Sequence, residues 1–169
     1  MRFARGLASG AIALALGPAL AYAVVPGAPA PEVAAPRLGE AGARLDLKDL
    51  RGSVVYVDFW ASWCVPCRQS MPRLDALYRK YRDRGFRVVG VNKDVTPAEA
   101  RRFLDRVAVS FPLVADGDDA VARAFDVRAM PSGYLVDRKG IVRFVHQGFT
   151  AETAAELPRE IESLLGASS

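Results

Sequence analysis

From residue 38 onward the chain alternates between two hydrophobic patterns. Short, nearly continuous apolar runs predict strands buried on both faces. Longer stretches with apolar residues three or four apart predict amphipathic helices. Leu45, Leu47 and Leu50 alternate loosely around Asp46 and Lys48, which predicts a short edge strand or extended lead-in that turns at Arg51-Gly52. Ser53 to Phe59 is β-branched and aromatic except for Asp58, and reads as a doubly buried strand. A helix is expected from Cys64, with Cys67, Met71, Leu74, Tyr78 and Tyr81 on one face, a kink at Pro72 and a left-handed glycine cap at Arg84-Gly85.

Phe86 to Val91 is the next buried strand. Thr96-Pro97-Ala98-Glu99 has the form of a capping box with proline at the first helical position, opening a helix to about Val107. Phe111 to Ala115 reads as a short extended segment, and Ala120 to Phe125 as a short helix after the Asp116-Gly117-Asp118 turn. Gly133 to Val136 and Ile141 to Val145, joined through Asp137-Arg138-Lys139-Gly140, read as a hairpin. The last helix spans Thr150 to Leu165, with Pro158 bending or splitting it. This alternation predicts an α/β fold with a mixed central sheet flanked by helices.

The first residues follow a different pattern. Arg2 and Arg5 precede an uncharged, Ala- and Leu-rich stretch from Gly6 to Val25 that contains Ala21-Tyr22-Ala23. A basic start, an apolar middle and a small-residue site read as a secretory signal peptide, residues 1–23. The alternative is an uncleaved membrane anchor, because the apolar stretch approaches the roughly 20 residues needed to span. Residues 24–37, with prolines throughout Pro26 to Pro36, read as an extended solvated linker. The folded domain is then 38–169.

Composition narrows the picture. The chain of 169 residues is 51% hydrophobic and 25% charged, enough for one domain with an ordinary core. Its net charge of +4 comes from dispersed basic residues with no interleaved aromatics, so nucleic acid is not an expected partner.

The two cysteines of the chain, Cys64 and Cys67, are three positions apart. They close too small a loop to staple a fold. Structural zinc takes four ligands as a rule, and His146 is the single histidine, so no metal site and no cofactor are called for. Strand, then C-x-x-C, then helix is the arrangement of a redox-active disulfide. A cysteine at a helix start has its thiolate stabilised by the positive end of the dipole and by unsatisfied N–H groups. Cys67, almost one turn on, reaches Cys64. Asp58, an acid within an apolar strand, should have its pKa raised by burial and could take the Cys67 proton.

Val57-Asp58-Phe59-Trp60-Ala61, Trp63-Cys64-x-x-Cys67, Pro72 and Met130-Pro131 together resemble the thioredoxin superfamily over Leu38 to Leu165. The Val65-Pro66 dipeptide, the signal peptide and Asn92-Lys93-Asp94 resemble its TlpA/ResA-like extracytoplasmic thiol-disulfide oxidoreductases. That resemblance implies Cys64 as attacking thiol, Cys67 as resolver and Asp58 as the buried acid. It implies a cis Pro131 beside the cysteines, and Trp63, Val65, Pro66 and Met130 as the surface that meets substrates. It also implies a periplasmic or inner-membrane-anchored monomer that reduces protein disulfides, as in cytochrome c maturation or copper-site assembly, and draws electrons from a membrane thiol reductase. Two positions depart from the pattern: Ser70 stands where many relatives have an acid, and Gly90 where thioredoxin has a lysine. A Cu(I) metallochaperone using Cys64 and Cys67, helped by Met71 or Met130, is the alternative. A peroxidase would need a cysteine in a loop of its own. His146 reads as a surface residue, and Lys93 and Asp94 as turn-closing.

Overall fold

The structure, a computed structural model, describes residues 24–167. The expected signal peptide at 1–23 lies outside them. The elements are β1 (Ala34–Pro36), β2 (Arg44–Asp46), β3 (Val54–Trp60), α1 (Cys67–Tyr81), β4 (Phe86–Asn92), α2 (Pro97–Leu104), β5 (Leu113–Ala115), α3 (Ala120–Ala124), β6 (Ser132–Val136), β7 (Val142–Gln147) and α4 (Ala151–Gly166). Five strands form one sheet in the order β5-β4-β3-β6-β7. The pairs β3–β4 and β4–β5 are parallel, while β3–β6 and β6–β7 are antiparallel. The mixed sheet read from the sequence is therefore present.

β3 lies at the centre and every one of its residues is buried. Its alternate side chains feed two separate cores. Val54, Tyr56 and Trp60 pack with Met71 and Leu74 of α1, Phe103 of α2, and Leu157 and Ile161 of α4. Val55, Val57 and Phe59 pack on the other face with Val121 and Ala122 of α3, and with Ala35 and Leu45. Full burial of such side chains is worth about 1.5–3 kcal/mol each, so both faces need cover.

The second face explains a correction. Residues 24–37 are not a solvated linker. α3 has five residues and is too short to cover that face alone. The N-terminal segment completes the cover: β1 pairs with β2, and Ala35 is buried against the sheet. The same segment guards both sheet edges. Gly27 N–H donates to Val142 O and Ala30 N–H to Gly140 O, each at 2.8 Å, while at the other edge Arg37 bridges Val114 and the adjoining Leu38 N–H donates to Leu113 O at 2.9 Å. An exposed edge invites pairing with other chains, and this segment blunts it. Its prolines suit the role, since an edge-covering strand need not donate at every residue.

Two helix readings are refined. α1 opens at Cys67, with Pro66 as its N-cap, so Cys64 stands in the preceding turn. Amides expected to be free at this end are engaged: Cys67 N–H donates to Cys64 O, and Arg68 N–H to Val65 O. α1 continues through Pro72, and α4 continues through Pro158 without splitting. The capping box of α2 is formed, and Gly85, with φ 92°, makes the left-handed stop before β4. Among the described residues, no helix is long and apolar enough to cross a membrane.

Candidate active site

Cys64 and Cys67 are joined as a disulfide, with their Cα atoms 5.3 Å apart. The site is assembled where β3 ends. Trp60 is its last residue, Ala61 to Pro66 form the loop, and Cys67 begins α1. Both sulfur-bearing residues are almost fully buried, Cys64 at 3% and Cys67 at 0% exposure. Around them the loop presents Trp63 and Val65 to solvent, at 63% and 64%. No acidic residue occupies the first turn of α1, so nothing there opposes a thiolate at its positive end.

Met130–Pro131 is a cis peptide bond. Pro131 immediately precedes β6, where Ser132 is the register partner of Phe59. The antiparallel pairing therefore sets this proline beside the end of β3, at the base of the cysteine loop. Met130 and Trp63 line one open surface groove, together with Lys93, Arg123, Arg128, Asp119 and Asp126. The topology thus gathers residues more than 60 positions apart around the disulfide.

Asp58 is 2% exposed and lies on the face of β3 that α1 covers. Its Oδ2 has no hydrogen-bond partner among the described residues. Burial pushes its carboxyl well above the usual carboxylate range, as the sequence suggested. Its register partner on β4 is Gly90. A Cβ there would stand 2.5 Å from Leu113 Cδ2 and 3.1 Å from Trp60 Nε1, so no longer side chain reaches Asp58 from that strand. Ser70, at the other departing position, is fully buried, and its hydroxyl donates to Cys67 O at 3.4 Å.

Asp94 does more than close a turn. Its carboxylate accepts from Ser62 N–H at 3.0 and 3.1 Å and from Ser62 Oγ–H at 2.9 Å, and Asn92 Nδ2–H holds the same carboxylate at 2.9 Å. It therefore anchors the loop that carries Cys64. The Asn92-Lys93-Asp94 run was visible in the sequence, but its target 32 residues upstream was not. Lys93 bonds to Asp119 and lies 3.6 Å from Asp116.

His146 is not a surface residue. Its side chain is 10% exposed, between Tyr56 Oη at 3.4 Å and Glu160 Oε2 at 3.0 Å. Nothing in the local sequence indicated that meeting.

With this geometry in view, comparison with known proteins is direct. The family model described as Redoxin matches residues 25–161. The chain belongs to the Redoxin family. It is 33% identical over 115 residues to the thiol-disulfide oxidoreductase ResA of Halalkalibacterium halodurans, a match covering 68% of this chain and 65% of that protein. It thus spans just under two thirds of that relative's length. Among solved structures, it superposes with a TM-score of 0.81 and 39% identity on a Chlorobium tepidum protein assigned as thiol:disulfide interchange protein DsbE, covering 85% of this chain and 100% of that one. A Bacteroides thetaiotaomicron protein assigned as a protein disulfide isomerase gives a TM-score of 0.76 at 29% identity, covering 85% and 92%. The fold of this Redoxin-family chain is therefore thioredoxin-like.

Proposed function

We propose that this protein is an extracytoplasmic thiol-disulfide oxidoreductase that reduces disulfides of partner proteins. The observation that carries the reading is the Cys64–Cys67 disulfide, carried at the end of the buried strand β3 beside the exposed Trp63 and Val65. In the reduced protein, the Cys64 thiolate attacks one sulfur of a substrate disulfide. A Cys64–substrate disulfide forms and the other substrate sulfur leaves as thiolate. Cys67 then loses its proton to Asp58 and attacks Cys64 Sγ. The second substrate thiolate leaves, and two electrons have passed from the dithiol to the substrate. The state described here is the oxidised product of that cycle.

Trp63, Val65, Pro66 and Met130 meet the substrate, and the Met130 backbone pairs with its chain beside Pro131. The basic, apolar, small-residue pattern of residues 1–23 supports export. An exported dithiol needs a supply of electrons, for which a membrane thiol reductase is the donor. Cytochrome c haem-binding cysteines and copper-site assembly thiols are the substrate classes to try first, with the protein acting as a monomer. The ResA name of the relatives supports the reaction type.

The test is insulin reduction with dithiothreitol as electron source. The wild type should accelerate it and Cys64→Ser should not. A wild type that is inactive yet binds one Cu(I) through both thiols would replace this reading by the metallochaperone.

A further inference from the structure

Gly90, Asp58, Gly133 and His146 stand in one register row across β4, β3, β6 and β7. The two glycines flanking Asp58 are filled from different sources. The space at Gly90 is closed by Leu113, Phe111 and Trp60. The space at Gly133 is taken by the Tyr56 side chain, whose hydroxyl stands where a Cβ of Gly133 would be. Directly opposed strand residues have Cβ atoms about 4.5–5.5 Å apart, so this hydroxyl is a neighbour of Asp58, near enough for the Asp58 charge to help raise the Tyr56 pKa, with no hydrogen bond between them in this state. It then reaches His146 Nδ1 at 3.4 Å, and His146 Nε2 lies 3.0 Å from Glu160 Oε2. The last contact is off the straight line of a hydrogen bond, and that oxygen has no other partner among the described residues. One tautomer serves both contacts: Nδ1 accepts from Tyr56 and Nε2–H points to Glu160.

We propose that Tyr56, His146 and Glu160 form the proton outlet of Asp58, leading from behind the cysteines to solvent. This rests on the oxidoreductase reading above. Asp58 must be a carboxylate before it can take the Cys67 proton, yet burial favours its protonated form. Its own proton must first leave. The cysteine face is covered by the substrate at that moment, and the β4 side holds Leu113, Phe111 and the Trp60 indole, whose Nε1–H donates only and cannot take up a proton. On the β6–β7 side, once the Asp58 carboxyl turns onto Tyr56 Oη, it hands over its proton while the Tyr56 proton passes to His146 Nδ1. The Nε2 proton then passes to Glu160, whose side chain is 15% exposed and releases it to water. One proton leaves Asp58, one reaches solvent, the tyrosine is neutral again, and His146, left with its proton on Nδ1, regains the Nε2–H tautomer by proton exchange before the next turnover.

The titratable groups in contact with His146 are Tyr56 from β3 and Glu160 from α4, with Asp58 beyond Gly133 in the same row. On α1, Arg73 lies over the Phe149 ring, and Asp75 is tied to Arg79 and Ser110, so neither charge is free to replace them.

The test separates the two half-reactions by stopped-flow tryptophan fluorescence with a protein disulfide as substrate. Tyr56→Phe keeps the ring over Gly133 and removes only the hydroxyl. His146→Gln and Glu160→Gln break the next two links. Each should slow resolution about tenfold, less than the 100-fold or more typical of losing a general base itself. The slowing should be strongest at low pH, where Asp58 is most fully protonated, and Tyr56→Phe/His146→Gln should add little to either single change. In a Cys67→Ala background, which reads only the attack of Cys64, the same substitutions should leave the rate unchanged. Wild-type resolution rates in Tyr56→Phe and His146→Gln would overturn the outlet. So would an attack step slowed equally, which would mean a general structural loss. A wild type with neither step would sink the oxidoreductase reading instead.

Discussion

The two sides of Asp58 are built from the same residue type and do opposite things. On β4, Gly90 leaves room that Leu113 and Phe111 fill with hydrocarbon and Trp60 with its indole Nε1–H, a donor that accepts no proton. On β6, Gly133 leaves room that Tyr56 fills with a hydroxyl leading to His146. One glycine seals the buried acid and the other connects it. A buried carboxyl is costly when charged, so what stands on either side decides how readily it changes state. Thioredoxin is expected to use an amine on the strand where this chain has Gly90, whereas here the polar row of Tyr56 and His146 lies toward β6, on the other flank of β3. Identical residues can therefore have opposite functions, because what matters is which neighbour enters the vacated space.

The substitution with the largest expected effect removes the acid that both sides share. Asp58→Asn should slow resolution about 100-fold, read by stopped flow, while attack by Cys64 persists. It should also change stability with a definite sign. The folded carboxyl holds its proton to higher pH than the unfolded one, so between those two values the native state binds more protons. Stability of the wild type therefore falls as pH rises through that window, and Asp58→Asn should lack the fall and be the more stable protein at neutral pH. Equal urea midpoints for the two proteins across acid and neutral pH would remove the buried-acid argument.

The next change tests the connected side. Gly133→Ala places a methyl on the Tyr56 hydroxyl and forces a stiff ring out of a packed row. A loss of about 2–3 kcal/mol in urea unfolding is expected, partly restored by Tyr56→Phe in the same chain. A loss below about 0.5 kcal/mol would mean that the ring does not occupy that space.

Gly90→Ala tests the sealed side and should cost less, about 1–2 kcal/mol, because its nearest contact is the flexible end of the half-buried Leu113. If Gly90→Ala proves more damaging than Gly133→Ala, the contrast between the two sides is reversed.

The smallest effect belongs to the front of the site. Trp63→Ala should leave stability within about 0.5 kcal/mol, since the ring is 63% exposed. It should lower kcat/KM for a protein disulfide about fivefold, near 1 kcal/mol, and leave a small-molecule disulfide unaffected. A fall with both substrates would give Trp63 a role in the chemistry.

Much of this molecule could be read along the chain. Ser53 to Phe59 announced a doubly buried strand because only Asp58 interrupts its apolar run, and the strand is Val54–Trp60. The Cys67–Met71–Leu74–Tyr81 face announced α1, and Thr96 to Glu99 its cap in α2. Misreadings fell where local composition and tertiary need diverge. Proline-rich residues 24–37 look solvated in isolation, yet they supply the cover that a five-residue α3 cannot. His146 looks peripheral on its own strand, yet Tyr56 and Glu160 enclose it. Asp94 looks like a turn residue until Ser62 is brought to it.

The sequence alone determined the strand, the C-x-x-C pair at its end and the helix beyond it. Strand and helix periodicities and cysteine spacing are local properties of a chain. Only the tertiary structure decided what surrounds the acid behind those cysteines. The row from Gly90 through Asp58 and Gly133 to His146 depends on the registers of three strand pairs, and Tyr56 meets a histidine 90 residues away. Register is set by the packing of whole faces, and no local pattern of residues encodes it.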